Sequence, residues 1–390
     1  MRKVFDNNLL TIFLEGRIDS NNASEIESEM FEALKANPEA MIQVDAEKVE
    51  YISSAGLRVL MKLRKQTGKE FSVINVLPEV YDIFQVTGFT DLLNVKKRLR
   101  AISIEGCEKI GAGATASVYR IDKETIVKVF KSNTSMQIIQ QENERSKNAF
   151  LNGIPTAISY DLVKVGDCYG TVYEMLDAQD FLKILENDKE HLEDNIKKFA
   201  HAIREMHKIE VDPAKFPPTK QASMGALPML GSICTQEEIG KLRSLYETIP
   251  DRSTFIHGDC HTGNVMVQNG EFVFIDLMTC GSGHPVFDLG SMCSVYHMPP
   301  KFGTRKDSPL TRNFTEDESA RIWDAYLRSY MDTDDSGLLK KAETQITAIS
   351  AARTLFAAVF IPGLLTPDRI EYLKNVALSY VDSGLEPICF

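Results

Sequence analysis

Apolar residues recur with two different periods along the first hundred positions. Leu10 to Leu14 alternates as a strand, Ala23 to Ala36 carries Ile26, Met30, Ala33 and Leu34 at helical spacing, and Met41 to Val44 is a short run of the buried-strand type. Leu57, Leu60, Met61 and Leu63 then form a helix stripe, Phe71 to Val76 another strand, and Val80 to Phe84 opens a further helix. This β-α-β-α-β-α order predicts a small sheet with helices packed on it. The basic run Lys96 to Arg100 closes the unit and reads as a solvated hinge.

From Ile102 the rhythm changes to closely spaced strands, Ile102–Ile104, Val118–Ile121 and Thr125–Phe130, followed by a helix from about Met136 to Leu151 and two more strands up to Met175. After Ala178 helical spacing dominates, broken by a strand-rich island at Phe255 to Asp276. The pattern therefore predicts an α/β domain over residues 1–100 and an α+β domain over 101–390. The second divides into a β-rich lobe, about 101–176, and an α-rich lobe, about 177–390.

The chain has 390 residues, 43% of them hydrophobic and 25% charged, a composition suited to two or three packed domains. Its net charge of −11 falls almost entirely in the second part, because residues 1–100 carry 14 basic and 15 acidic side chains. That balance argues against an electrostatic grip on nucleic acid or anionic lipid. The 7 cysteines are scattered, odd in number and without a C-x-x-C pair, so neither a disulfide framework nor a zinc site is expected, and a reducing cytoplasm is. The N-terminus lacks the apolar core of a signal peptide, and the most apolar stretch, Leu355 to Leu365, holds Pro362 and Gly363 and is far short of the roughly 20 residues that span a bilayer.

Two constellations carry chemistry. Gly111-Ala-Gly-Ala-Thr-Ala-Ser-Val118 lies between two strands; Gly111 and Gly113 give a backbone able to fold closely over phosphates, or equally a plain hairpin turn. Lys128, a single cation in the aliphatic strand Ile126–Phe130, follows that hairpin and is placed to neutralise nucleotide phosphates, with Glu142 or Glu144 of the next helix as its acidic partner. The second constellation, His257-Gly-Asp-Cys-His-Thr-Gly-Asn264, has the D-x-x-x-x-N spacing of a phosphotransfer loop in Asp259 and Asn264. Asp276 follows twelve positions later at the end of an apolar strand, where a carboxylate needs a cation.

Together these residues resemble the aminoglycoside phosphotransferase and choline kinase family, relatives of protein kinases with H-G-D-x-H-x-x-N as the catalytic loop. The resemblance covers roughly residues 101 to 390. It implies a two-lobed fold with ATP in the cleft, Lys128 on the α- and β-phosphates, and the adenine edge against Tyr173-Glu-Met-Leu176, with Tyr173 and Met175 as contacts. Gly153-Ile-Pro155 matches the family's G-x-P, and counting back from it favours Glu142 over Glu144. Asp259 would be the catalytic base, Asn264 and Asp276 the Mg²⁺ ligands, His257 and His261 loop buttresses, and Asp288 a structural brace. Ala116 stands where many protein kinases have a third glycine, and Cys260 reads as a buried filler.

The N-terminal part resembles the STAS domains of anti-sigma-factor antagonists through Leu14-Glu-Gly-Arg-Ile-Asp19, Tyr51-Ile-Ser-Ser-Ala-Gly-Leu57 and Val86-Thr-Gly-Phe-Thr-Asp-Leu92. In that family D-S-x-G opens a helix and its serine is a phosphorylation switch; Ser54 falls on the switch and Ser53 replaces the aspartate. A phosphate there adds nearly two charges to a docking surface. The alternative is that Ser53 or Ser54 simply caps the helix.

These readings imply a kinase moving the γ-phosphate of ATP to a hydroxyl of a small molecule, with the STAS domain regulating the enzyme or docking an anti-sigma-factor-like partner. Only twelve positions separate Asp276 from Asp288, too few for the long activation segment on which protein kinases dock peptides, and clusters such as Asp332 to Asp335 suit an amine-bearing acceptor. A serine kinase acting on Ser54 or on a partner STAS protein is the second reading. A nucleotide-binding signalling module without turnover is the third; retention of Lys128, Asp259, Asn264 and Asp276 opposes it.

Overall fold

The computed structural model describes residues 1–6, 8–67, 71–113, 115–298, 308–361 and 363–384; Ala114 of the glycine loop, Pro362 and Cys389 lie outside them. The chain forms two compact units, Met1–Ser103 with Val163–Gly166, and Ile104–Leu162 with Asp167–Phe390. No helix among the described residues is long and apolar enough to cross a membrane.

In the first unit β1 (Arg2–Asp6), β2 (Leu9–Ile18), β3 (Met41–Ile52), β4 (Phe71–Val76) and β5 (Val95–Lys97) form a sheet in sequential order, antiparallel between β1 and β2 and parallel thereafter. Helices α1 (Ala23–Ala36), α2 (Ser54–Thr67), α3 (Pro78–Val86) and α4 (Phe89–Leu93) alternate with the strands. Ile12, Met30, Val44, Leu63 and Val76 are fully buried between these layers. Strand β3 runs well past Val44: Glu47, Lys48 and Glu50 are exposed while Ala46, Val49 and Ile52, and with them the charged Asp45, stay buried. Strand β1 is exposed at every position, so no alternation betrays it in the sequence. Gly56, in the first turn of α2, lies so close to β2 and β3 that a Cβ would sit 2.7 Å from the side chains of Ile18 and Ile52.

After β6 (Arg100–Ile102), the β-rich lobe of the second unit orders its strands β10-β11-β9-β8-β7, with β7 (Glu108–Ala112), β8 (Ala116–Arg120), β9 (Thr125–Phe130), β10 (Ser159–Val165) and β11 (Cys168–Glu174). Helix α5 (Met136–Leu151) is capped by Ser135, whose side chain accepts from the Ile138 N–H, and buries Ile139, Glu142, Ser146 and Ala149 at helical spacing. The α-rich lobe follows with the short β12 (Gln179–Asp180), then α6 (Phe181–Asn187), α7 (Leu192–Met206), α8 (Thr219–Ala226), α9 (Gln236–Glu247), α10 (Val286–Met292), α11 (Glu316–Met331), α12 (Ser336–Phe360) and α13 (Pro367–Asp382). Its core holds Phe199, Phe255, Phe274, Tyr296 and Tyr326, all fully buried. The expected strand-rich island resolves into β13 (Phe255–Ile256), an irregular loop, and the hairpin β14 (Val265–Gln268) with β15 (Glu271–Phe274). That loop carries the site.

Candidate active site

The β14–β15 register explains why two distant polar residues meet. Val265 faces Phe274 across the hairpin, and the Ile275 N–H donates to the Asn264 carbonyl at 3.0 Å, so Asn264 and Asp276 leave the same end of one hairpin. Asp276 sits at φ +63, a left-handed conformation few aspartates adopt, which turns the chain sharply after the apolar strand. Both residues line a cavity of about 1220 Å³ whose walls include Gly111, Gly113, Lys128, Tyr173 and Asp259.

Val127 is buried on one face of β9, and Lys128, on the opposite face, lines the cavity. Its Nζ lies 2.6 Å from Glu142 Oε1 and 3.0 Å from Asp276 Oδ1. Burial alone would lower the lysine pKa, but the Asp276 and Glu142 charges raise it, and the ammonium stays charged. Glu142 is buried and its neighbour Glu144 is exposed, so the acidic partner is Glu142. Gly111 lies in β7 opposite Val118 and Gly113 directly follows that strand; neither takes a positive φ and a Cβ would fit at both. What glycine contributes here is bare backbone over the cavity.

At the back of the cavity Tyr173 belongs to the β11–β9 ladder, opposite Ile126. Burial first, and then the Glu142 charge, push its phenol pKa up. The Met175 N–H donates to the Glu124 carbonyl at 2.7 Å and is committed. Leu176, next along the chain, also lines the cavity.

The residues from His257 to Asn264 hold one another. His257 Nε2 donates to the Ile275 carbonyl at 3.1 Å while Nδ1 accepts the Asp259 N–H at 3.3 Å, and His261 Nδ1 accepts the Gly263 N–H at 3.2 Å. Gly258 has φ +82, and a Cβ there would lie 2.3 Å from the Thr279 carbonyl oxygen, so only glycine fits. Asp288, fully buried on α10, accepts from the Gly258 N–H at 2.7 Å, the His257 N–H at 2.8 Å and His207 Nε2 at 3.0 Å. Burial works to raise its pKa; the His207 bond, the histidine charges and the backbone donors outweigh that and hold it down. Cys260 is fully buried, with its thiol pKa raised by burial.

Asp259 is half-buried in the loop. Asn264 Nδ2 donates to its Oδ2 at 3.3 Å and to its carbonyl at 3.0 Å, and the Arg353 guanidinium meets its Oδ1 at 2.9 Å. Burial would raise the Asp259 pKa, but His261 and Arg353 together carry it below the usual carboxylate range. With its amide nitrogen turned toward Asp259, Asn264 presents its carbonyl oxygen elsewhere. That oxygen and the Asp276 carboxylate make an oxygen-only donor pair at one hairpin end, a set that suits Mg²⁺ completed by phosphate oxygens.

Sequence reasoning missed His207, Ser291 and Arg353. For Arg353 a signal existed: it is the single charged residue between Thr344 and Thr366.

Residues 106–334 match the Phosphotransferase enzyme family, and residues 1–102 match the STAS domain. The N-terminal part is 31% identical over 90 residues, 22% of this chain and 77% of the relative, to the protein described as anti-sigma factor antagonist BtrV of Bordetella bronchiseptica. Among solved structures, ADP-bound aminoglycoside phosphotransferase APH(2'')-Ib is 14% identical with a TM-score of 0.48, covering 70% of this chain and 94% of that one. A choline/ethanolamine kinase family protein from Mesorhizobium loti is 16% identical with a TM-score of 0.47, covering 71% and 92%. The chain thus belongs to the Phosphotransferase enzyme family and carries a STAS domain at its N-terminal end.

Proposed function

We propose that the second unit transfers the γ-phosphate of ATP to a hydroxyl of a small molecule, in a reducing cytoplasm. The observation that carries this reading is the convergence on one cavity of Lys128, paired with Glu142, and of Asp259, Asn264 and Asp276. Lys128 neutralises the α- and β-phosphates, Gly111 and Gly113 cover them, and Asp259 orients the acceptor hydroxyl and takes its proton. Mg²⁺, held by Asn264 and Asp276, would supply the charge that the transferring phosphates need. For the adenine edge, the Leu176 N–H is the better donor, since the Met175 N–H is spent on Glu124. An amine on the acceptor belongs away from the reacting hydroxyl, because the neighbour of Asp259 is the Arg353 guanidinium. Isothermal titration of the full chain should show ATP binding that requires Mg²⁺; no binding by folded protein removes the kinase reading.

One observation favours phosphorylation of the STAS domain as a second activity. Ser53 Oγ accepts from the Ala55 N–H at 3.2 Å and the Gly56 N–H at 3.5 Å, so Ser53 is the helix cap. Ser54, exposed in the first turn of α2, keeps its hydroxyl for other chemistry. A phosphate there would change how the domain docks a partner such as an anti-sigma factor. Intact mass after incubation with MgATP should then rise by one phosphate, lost in both Ser54→Ala and Asp259→Asn; an unchanged mass leaves the small-molecule reading alone.

A further inference from the structure

The Asp259 carboxylate is part-exposed, at 41%, and a free carboxylate in such a place samples several rotamers. It does not have that freedom. Arg353 comes in from α12 and spreads its guanidinium over three acceptors on two other segments. Nη1 donates to Ser291 Oγ of α10 at 2.6 Å; Nη2 donates to the Gly258 carbonyl at 2.6 Å and to Asp259 Oδ1 at 2.9 Å. The other carboxylate oxygen is held by Asn264. Gly258 is thereby fixed on both sides, its N–H by Asp288 and its carbonyl by Arg353.

Helix α12 makes a rigid base for this clamp. Ala351, Ala352 and Leu355 around Arg353 are buried, and Ser350 Oγ donates to the Gly290 carbonyl of α10 at 2.9 Å, joining the two helices that anchor the guanidinium. A planar fork with several donors can satisfy acceptors in three directions at once; a lysine ammonium is a point charge and lacks that geometry.

We propose that Arg353 is the positioning residue of the phosphotransferase site, aiming the Asp259 carboxylate at the acceptor hydroxyl by clamping Asp259, Gly258 and Ser291 together. The proposal rests on the kinase reading above. It makes the base depend on the docking of α12, a helix that supplies none of the sequence motif.

The test is steady-state consumption of MgATP by the full chain, with water as the acceptor. Arg353→Gln should lower kcat about 10²-fold, the loss expected when a reacting group is misplaced by about 1 Å, with the KM for MgATP within about twofold. Arg353→Ala should regain part of its kcat when guanidinium is added at millimolar concentration, whereas Arg353→Lys should stay impaired. Ser291→Ala, which removes one of the three anchors, should lose less than Arg353→Gln. An unchanged kcat in Arg353→Gln overturns the proposal. So does a fall in both melting temperature and MgATP affinity without guanidinium rescue, which marks a merely structural arginine. Wild type that neither binds nor consumes MgATP removes the kinase reading and this proposal with it, an outcome distinct from active variants.

Discussion

Asp259→Asn is expected to lower turnover about 10³-fold while MgATP affinity stays close to that of the wild type. The factor is the middle of the range for removing a positioned general base, and the two observables separate because Asp259 touches Asn264 only through the amide nitrogen, leaving its carbonyl oxygen, Lys128 and Asp276 to the nucleotide. Its contacts are Asn264, His261 and Arg353, whereas Lys128 reaches Glu142 and Asp276. The amide is isosteric, so the Arg353 fork loses one charge-assisted partner but keeps Gly258 and Ser291. Asp276→Asn should behave differently, weakening Mg²⁺-dependent nucleotide binding as well as turnover. Titration calorimetry for affinity and an ATP-consumption assay for rate distinguish the two. Equal turnover by Asp259→Asn and wild type would take Asp259 out of the mechanism.

Much of this site is legible in the sequence because its parts are local. A hairpin register converts the spacing from Asn264 to Asp276 into shared position, strand alternation aims Lys128, and the count back from the G-x-P resemblance at Gly153 to Pro155 favours Glu142, the one of the two glutamates that is buried. The parts that are not legible depend on tertiary docking. Arg353 reaches Asp259 from 94 positions away on a helix that carries no motif, and His207 reaches Asp288 across 81. No spacing rule links residues whose meeting depends on how helices pack. Strand chemistry hides other features: charges along β3 conceal its length, and full exposure conceals β1. The bond from the Met175 N–H to the Glu124 carbonyl is hidden for a similar reason, since it joins segments that no spacing rule links.

The largest loss of stability is expected at Asp288, and it should be confined to the second unit. This carboxylate is fully buried and is the acceptor for three donors, the backbone N–H groups of His257 and Gly258 and the ring of His207. Asp288→Ala leaves all three facing a void, and removing one partner of a buried charged network costs about 3–5 kcal/mol. Asp288→Asn can accept two of those bonds through one oxygen but turns its NH₂ toward the third donor, so its loss should lie between alanine and wild type. Trp323, the chain's only tryptophan, is buried on α11, so its fluorescence during urea unfolding follows the second unit and is blind to the first. The sign with pH follows from the depressed pKa: the charge-dependent part of the stabilisation is complete above the ordinary aspartate value of 3.8 and is lost as pH falls through the lower folded value. The gap between wild type and Asp288→Asn should therefore be constant from about pH 7 to pH 5 and narrow on further acidification. A urea midpoint for Asp288→Ala equal to that of wild type would show that the loop is held in place without it.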